Sequence, residues 1–370
     1  MAFSLTLGLG VVVSLLLYFG AGSFVTMLQV PEALHGMTRQ YIGIVGSGTI
    51  VMSAVLTLGT VIRSTGNTKG PMLVAIGMNI IHIFGNYVFI FGAFGMPQWG
   101  LFGVSLSTVG SRLAALAVLY VIFRKSFAGT IKFSDYRVFD RPLLKEVAKV
   151  GFPMALSSAS WTVSQVVIFS IVATMGAEQL AARTYLNTME SFSFMAGWSF
   201  AMAVQIQVAH LYGAGKMNQA YRSAYKALFW GEIVVVVNTL LLFLGGRWIL
   251  GMFTENHEIV SIVLGILALD LVLQPLKMWN MPLNNSLNAV GDTQYVMYIS
   301  MISMWIVAVG GTYLFGLTFG WLIYGVYIAM IMDEAIRGIL VQRRWISRKK
   351  LPKETETAVP SLNDQAVLQG

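Results

Sequence analysis

The sequence predicts an all-α, polytopic membrane protein made of two parallel-repeat helical bundles, and three observations predict it. Hydrophobic residues make up 56% of the chain and charged residues only 11%, with a mean hydropathy of +0.71, whereas soluble domains carry about a quarter charged residues. Ten stretches are long and apolar enough to cross a bilayer, whose hydrocarbon core of ~30 Å takes about 20 helical residues. The third is a repeated turn, RSTGNTKGPM at 63–72 and NAVGDTQYVM at 288–297.

In chain order, the first four spans fall at 5–29, 41–62, 71–93 and 99–123. Residues 1–29 have no charged leader region and no small-residue cleavage site, so they read as a span rather than a signal peptide. Residues 1–123 thus form an N-terminal bundle of four spans. The polar segment 124–149 is a linker in which Leu143, Leu144 and Val147 suit a short interfacial amphipathic helix. Six further spans at 150–174, 184–208, 227–253, 259–283, 294–316 and 320–341 make a C-terminal bundle, and 342–370 reads as a basic, polar and disordered tail.

The net charge of +8 is explained by topology. With the tail in the cytoplasm, the inner segments hold Arg63, Lys69, the seven basic residues of 124–149, Lys216, Arg222, Lys226 and the tail, while the outer loops hold only Arg39, Arg183 and Arg247. This obeys the positive-inside rule, places 124–149 and 342–370 in the cytoplasm of a multi-pass cell-membrane protein, and removes the case for a nucleic-acid partner. With no cysteine, neither disulfides nor thiolate metal sites are available. No HExxH, CxxC or GxxxxGK[ST] pattern is present, so the sequence predicts no enzyme, no resident metal and no cofactor.

The repeated turn sits in a longer repeat. At the offset that carries Gly66 onto Gly291, Leu15, Leu16, Leu17, Gly20 and Met27 fall on Leu240, Leu241, Leu242, Gly245 and Met252, and Gly85 falls on Gly310. After a three-residue slip, WGLFGV at 99–104 falls on WLIYGV at 321–326. An even number of crossings separates each span from its counterpart, so the repeats are parallel, with a cavity expected between the bundles. The fifth and sixth spans have no earlier counterparts, so the repeat predicts six plus six spans of which four plus six are visible.

STGNTKGPM with NIIHIFGNYVFIFGAFGMPQWGLFGVSLST at 79–108, and GFPMALSSASW at 151–161 with AARTYLNTMESFSFMAGWSFAMAVQIQVAHLYGAGKMNQA at 181–220, resemble helices five to eight of the multidrug and toxic compound extrusion (MATE) transporters. The resemblance implies a twelve-helix antiporter, here starting at the third helix, that exports amphipathic and often cationic compounds in exchange for H⁺ or Na⁺. It also implies acids in the seventh and tenth helices of sodium-coupled members, where this chain has Trp161 and Lys277. The resemblance therefore leaves the coupling ion open.

Ionisable side chains inside spans cost about 2.5 to 3.5 kcal/mol each to insert, so each is a candidate functional group. Glu190 and Asp270 are the candidate proton- or cation-binding carboxylates. Asp270, Gln274, Lys277, Asn284 and Asn288 share a helix face, on which Lys277 is expected to compete as a cation for Asp270; their separation of two turns, ~10 Å, argues against a direct bridge. Asn187 beside Glu190, and the stripe Asn79, His82 and Asn86, complete the candidate cavity lining. For Glu190 and for the stripe, the competing reading is purely structural hydrogen bonding. Asp333 and Glu334 are expected to pair with Arg337 within one turn. Gly66 and Gly291 are expected to let their helix pairs bend.

The expected function is alternating-access antiport of a small amphipathic compound by a monomer in the lipid bilayer. A lipid-linked oligosaccharide flippase of the same superfamily and an inactive truncated membrane protein are the alternatives.

Overall fold

The structure is a computed structural model that describes residues 2–27, 31–127 and 140–349. Its helices are α1 (Ala2–Met27), α2 (Glu32–Ser47), α3 (Thr49–Ser64), α4 (Lys69–Phe91), α5 (Gly100–Ser126), α6 (Arg141–Ala173), α7 (Ala177–Gly213), α8 (Met217–Gly251), α9 (His257–Ala289), α10 (Thr293–Ser303) and α11 (Leu322–Lys349). α10 continues through two π-helical stretches, Met304–Val309 and Thr312–Thr318. Taking α2 with α3 and α10 with its π-helical continuation, nine helices among the described residues are long and apolar enough to cross a membrane. The protein is thus all-α and multi-pass. α11 stands apart because Asp333, Glu334 and Arg337 load a single turn of it.

The chain divides into two compact units, Met1–Val147 and Ala148–Gly370. Leu143, Leu144 and Val147 do not form a separate interfacial helix. They lie in the opening turns of α6, which runs unbroken past Pro153, whose missing N–H leaves only the Lys149 carbonyl without its helical donor. At the other end, helical order continues past residue 341 to Lys349. Trp345 is buried there, and Arg344 and Arg348 are tied to Asp292. The rest of the expected tail, 350–370, and residues 128–139 of the linker lie outside the described residues.

In the first unit, α4 packs on α5 and α5 on α3 around Leu58, Ile62, Leu119 and Phe123. In the second, α9 is the hub, packed against α7, α8 and α11. Its start is fixed by Asn256, whose side-chain oxygen accepts from the Glu258 and Ile259 amides at 2.9 and 3.3 Å, satisfying two of the helix's orphan donors.

The second unit has two apolar cores. One gathers Leu186 and Met189 of α7, Leu267 and Leu273 of α9, and Ile323 and Tyr327 of α11. The other gathers Val204 and Val208 of α7, Leu283 and Leu287 of α9, and Val341 and Trp345 of α11. On each of these helices the residues between the two cores include ionisable ones, Glu190, Lys277, and Asp333, Glu334 and Arg337, while Arg183 and Asp270 lie within the stretch of the first core. The polar layer is therefore bracketed by packed hydrocarbon at both ends.

The backbone carries the repeat as well. Gly66 and Gly291 both have positive φ, +90° and +83°, and their amides donate to Arg63 and Asn288 at 3.0 and 3.1 Å, again 225 residues apart. Gly95 and Gly320 have φ of +76° and +71° at the same offset, whereas Gly100 and Leu322, both at +51°, are related by the shorter one. The three-residue slip thus falls between 95 and 100, against 320 and 322.

Leu322 holds a left-handed conformation that its repeat partner meets with glycine. Such a conformation costs an L-residue about 1 to 2 kcal/mol, so Leu322→Gly is expected to raise the unfolding free energy by about 1 kcal/mol. Leu322→Ala, which keeps the Cβ, should give no gain. Denaturant titration in detergent micelles compares the two, and equal stabilities would rule out backbone strain at this position.

Candidate functional site

A cavity of about 590 Å³ lies inside the second unit, lined from α6, α7, α9, α10 and α11. Its size is that of a small-molecule site. The polar layer between the two cores supplies its charged lining.

Glu190 lies at the edge of that layer, next to Met189 of the first core. Placed mid-helix on α7, it is 4% exposed, and a buried carboxylate is tolerable only when paired and hydrogen-bonded. Arg183 Nη1 donates to its Oε1 at 3.3 Å, the Tyr327 hydroxyl donates to the same oxygen, and Lys277 Nζ donates to Oε2 at 3.0 Å. Arg183 also donates to the Tyr327 hydroxyl at 2.6 Å, and its guanidinium lies 5.3 Å from the Phe169 ring centroid. One carboxylate therefore ties α7 to α9 through Lys277 and to α11 through Tyr327.

These contacts correct the sequence in two places. Arg183, expected in an outer loop, is a buried residue in the second turn of α7, 1% exposed. Lys277 bonds Glu190 rather than competing for Asp270. Two turns do separate Arg183 from Glu190, yet the long arginine bridges them. Arg183, Asn187, Glu190 and Phe194 recur at intervals of four, three and four, a stripe that identifies this face from sequence. Tyr327 left no such signal.

Asp270 and Gln274 lie behind the cavity wall, fully buried, with Gln274 Nε2 donating to Asp270 Oδ1 at 2.7 Å while Asp270 Oδ2 has no partner. Lys277, Asn284 and Asn288 of the same face line the cavity, as does Asn187. Lower in the layer, Arg337 Nη2 reaches Asp333 Oδ2 at 2.6 Å and Glu334 Oε1 at 2.5 Å, the pairing expected from their spacing. Ser303 donates to Asp333 Oδ1, and Asn280 Nδ2 to Glu334 Oε2 at 2.9 Å.

Asn79, His82 and Asn86 belong to the first unit and do not line this cavity. They bond locally: His82 Nε2 to Thr108 Oγ1 at 3.0 Å and to Asn86 Nδ2 at 3.3 Å, with Asn79 Nδ2 donating to the Ala75 carbonyl at 3.0 Å. Among the described residues, no three His, Asp or Glu side chains gather as a metal site.

At the repeated turn, Asp292 is held by Arg344 Nε at 2.6 Å and Arg348 Nε at 2.9 Å. Burial alone would raise its pKa, but the hydrogen bonds and charges of the two arginines outweigh burial and hold it below the ordinary value of 3.8. A depressed carboxylate stabilises the fold fully above that ordinary value, and the contribution is lost as pH falls through the lower folded value. The latch is therefore intact at neutral pH.

The family described as MatE matches residues 1–88 and 153–314. An uncharacterized transporter, YisQ, from Bacillus subtilis (strain 168) is 32% identical over 338 residues, spanning 91% of this chain and 74% of that protein. A probable multidrug resistance protein, NorM, from Thermotoga maritima is 25% identical over 336 residues, spanning 87% and 70%. Among solved structures, an outward-facing multidrug resistance MATE transporter of the MOP superfamily superposes with a TM-score of 0.84 at 18% identity, over 95% of this chain and 78% of that one. A MOP-superfamily transporter from Pyrococcus furiosus, described as having a binding pocket of reverse polarity that suggests a different function, gives 0.84 at 18% identity over 94% and 77%. The fold, the repeat and the matched residues agree: this chain belongs to the MATE family of transporters.

Proposed function

We propose that the chain is a secondary active antiporter that exports a small amphipathic compound by alternating access, in exchange for H⁺ or Na⁺ taken up at Glu190. The observation that carries this reading is the set of bonds at Glu190. A single charge there holds three helices together around a cavity of substrate size. A proton or cation arriving at Glu190 competes with Lys277 for the carboxylate, and losing that bond removes the charged tie between α7 and α9 while their apolar packing remains. The ion thereby favours one arrangement of the helices and shifts the population toward it. Asp270, with one unpartnered oxygen, is the second acid within the same electrostatic neighbourhood. The segments 124–149 and 342–370 face the cytoplasm in this reading, by the positive-inside rule.

The flippase alternative calls for free cations in the cavity. The basic groups of its lining, Arg183, Lys277 and Arg337, are each tied to an acid, which favours the antiporter.

Proteoliposomes of the full chain, given an imposed pH or Na⁺ gradient, are expected to accumulate either ethidium or its uncharged planar relative phenanthridine. Glu190→Gln, which keeps the side chain's size, should lose at least tenfold of the gradient-driven part while ligand-free and ligand-bound melting still differ, which separates lost coupling from lost folding. Gradient-driven accumulation that is equal in the two proteins would remove Glu190 from the coupling role. A wild-type chain that accumulates neither compound would overturn antiport.

A further inference from the structure

The cavity has a feature that the coupling reading does not use. Trp161 of α6 and Phe194 and Trp198 of α7 form a ladder of nearly parallel rings. The Trp161 and Phe194 centroids are 5.9 Å apart with planes at 12°, and Phe194 and Trp198 are 6.1 Å apart at 13°. All three rings line the cavity, and the outer two keep 43% and 49% of their surface uncovered. An offset stack with open ends offers a flat apolar face to another ring.

The charged lining has the opposite character, because it is closed. Arg183, Lys277 and Arg337 balance Glu190, Asp333 and Glu334, and all six carboxylate oxygens already accept a bond: from Arg183, Tyr327 and Lys277 on Glu190, from Ser303 and Arg337 on Asp333, and from Arg337 and Asn280 on Glu334. A cationic substrate would find no vacant carboxylate oxygen short of displacing Lys277 from Glu190, the step assigned above to the coupling ion, and a bound anion would have to draw Lys277 or Arg337 away from its acid. Breaking a buried ion pair by taking one partner leaves an uncompensated charge, which is strongly unfavourable. The amides are different. Asn284 and Asn288 line the cavity, and the side-chain oxygen of each is buried and has no partner, so rotation of the amide is what would present an unused acceptor to a ligand.

We infer that this cavity recognises an uncharged, flat aromatic compound with N–H donors on its edge, such as an aromatic carboxamide. Its ring stacks on the Trp161–Phe194–Trp198 ladder and its edge bonds the asparagine amides, which carry both donors and acceptors. The inference rests on taking this cavity as the transport site and names the substrate class that the site selects. It departs from the cationic class that the sequence resemblance implies, because the carboxylates that would attract a cation are already paired.

The test is a matched ligand series bound to the purified full chain in nanodiscs, by equilibrium dialysis against empty nanodiscs at neutral pH. The probes are 2-naphthamide, 2-naphthylmethylammonium, 2-naphthoate and cyclohexanecarboxamide. 2-Naphthamide is expected to bind at least tenfold more tightly than each of the others. Trp198→Leu and Trp161→Leu, checked for monodispersity, should each weaken it at least fivefold.

Equal or tighter binding of the ammonium or the carboxylate would overturn the charge argument, and equal binding of the cyclohexane amide would overturn the ladder. Binding of none of the four would overturn both. A tenfold preference for 2-naphthamide without any gradient-driven accumulation would leave this inference standing and reject antiport instead, so the two readings fail separately.

Discussion

Arg183→Met is expected to lower the unfolding free energy by about 3 to 5 kcal/mol, the range for removing one partner of a buried ion pair. Arg183 is 1% exposed, and its loss leaves Glu190 with only Lys277 and Tyr327 while Asp270 stays close by. The informative variant is the double one. Arg183→Met with Glu190→Leu removes one charge of each sign, although it leaves Lys277 without its acid. Replacing a whole buried pair by apolar groups is often neutral, so the double variant should recover at least half of the single variant's loss. Such non-additivity is the signature of residues acting as one network. Denaturant titration in mixed micelles measures all the proteins, and simple additivity of the two changes would show that the pair is not a unit.

Arg337→Met should cost a similar amount, about 3 to 5 kcal/mol, for a different reason. Here two acids share a single base, Arg337 meeting Asp333 at 2.6 Å and Glu334 at 2.5 Å. Without the guanidinium, two adjacent carboxylates face each other in a buried layer, and one of them must take up a proton. Adding Glu334→Gln to Arg337→Met removes one of the two charges and leaves Asp333 with its Ser303 bond. That second change should restore part of the lost stability and make the remainder less dependent on pH. A second change with no effect on either quantity would rule out charge repulsion as the cause.

Much of the fold was legible in the sequence because hydropathy and turn chemistry are local. Span positions follow from runs of apolar residues, and the repeat was readable even in its slip, since Gly66, Gly95 and Gly100 mark backbone conformations that recur at Gly291, Gly320 and Leu322. The candidate site was legible only in part. Glu190, Lys277, Asn187, Asn284 and Asn288 do line one cavity, but which acid Lys277 meets depends on how α7 and α9 are rotated against each other, and no single-helix pattern contains that. Hydropathy ends a span where it falls and so places Arg183 in a loop, whereas the helix begins at Ala177 and buries the arginine. In the sequence Trp161 stands out for the acid it replaces. Its role in the aromatic ladder needed the geometry of α6 beside α7.

The way the buried charges are paired also bears on how the chain enters the bilayer. Arg183 and Glu190 lie on one helix, and so do Asp333, Glu334 and Arg337. An ion pair closed within a single helix forms as soon as that segment coils, before any neighbour is present, so α7 and α11 bring their own counter-charges into the hydrocarbon and lower the insertion cost of each charge. Among the ion pairs of the cavity lining, that of Lys277 crosses between helices, since its acid lies on α7. Synthesis from the N-terminus delivers α7 first, so the carboxylate is already in the membrane when α9 arrives, and the order of the chain is also the order in which its buried charges can be neutralised.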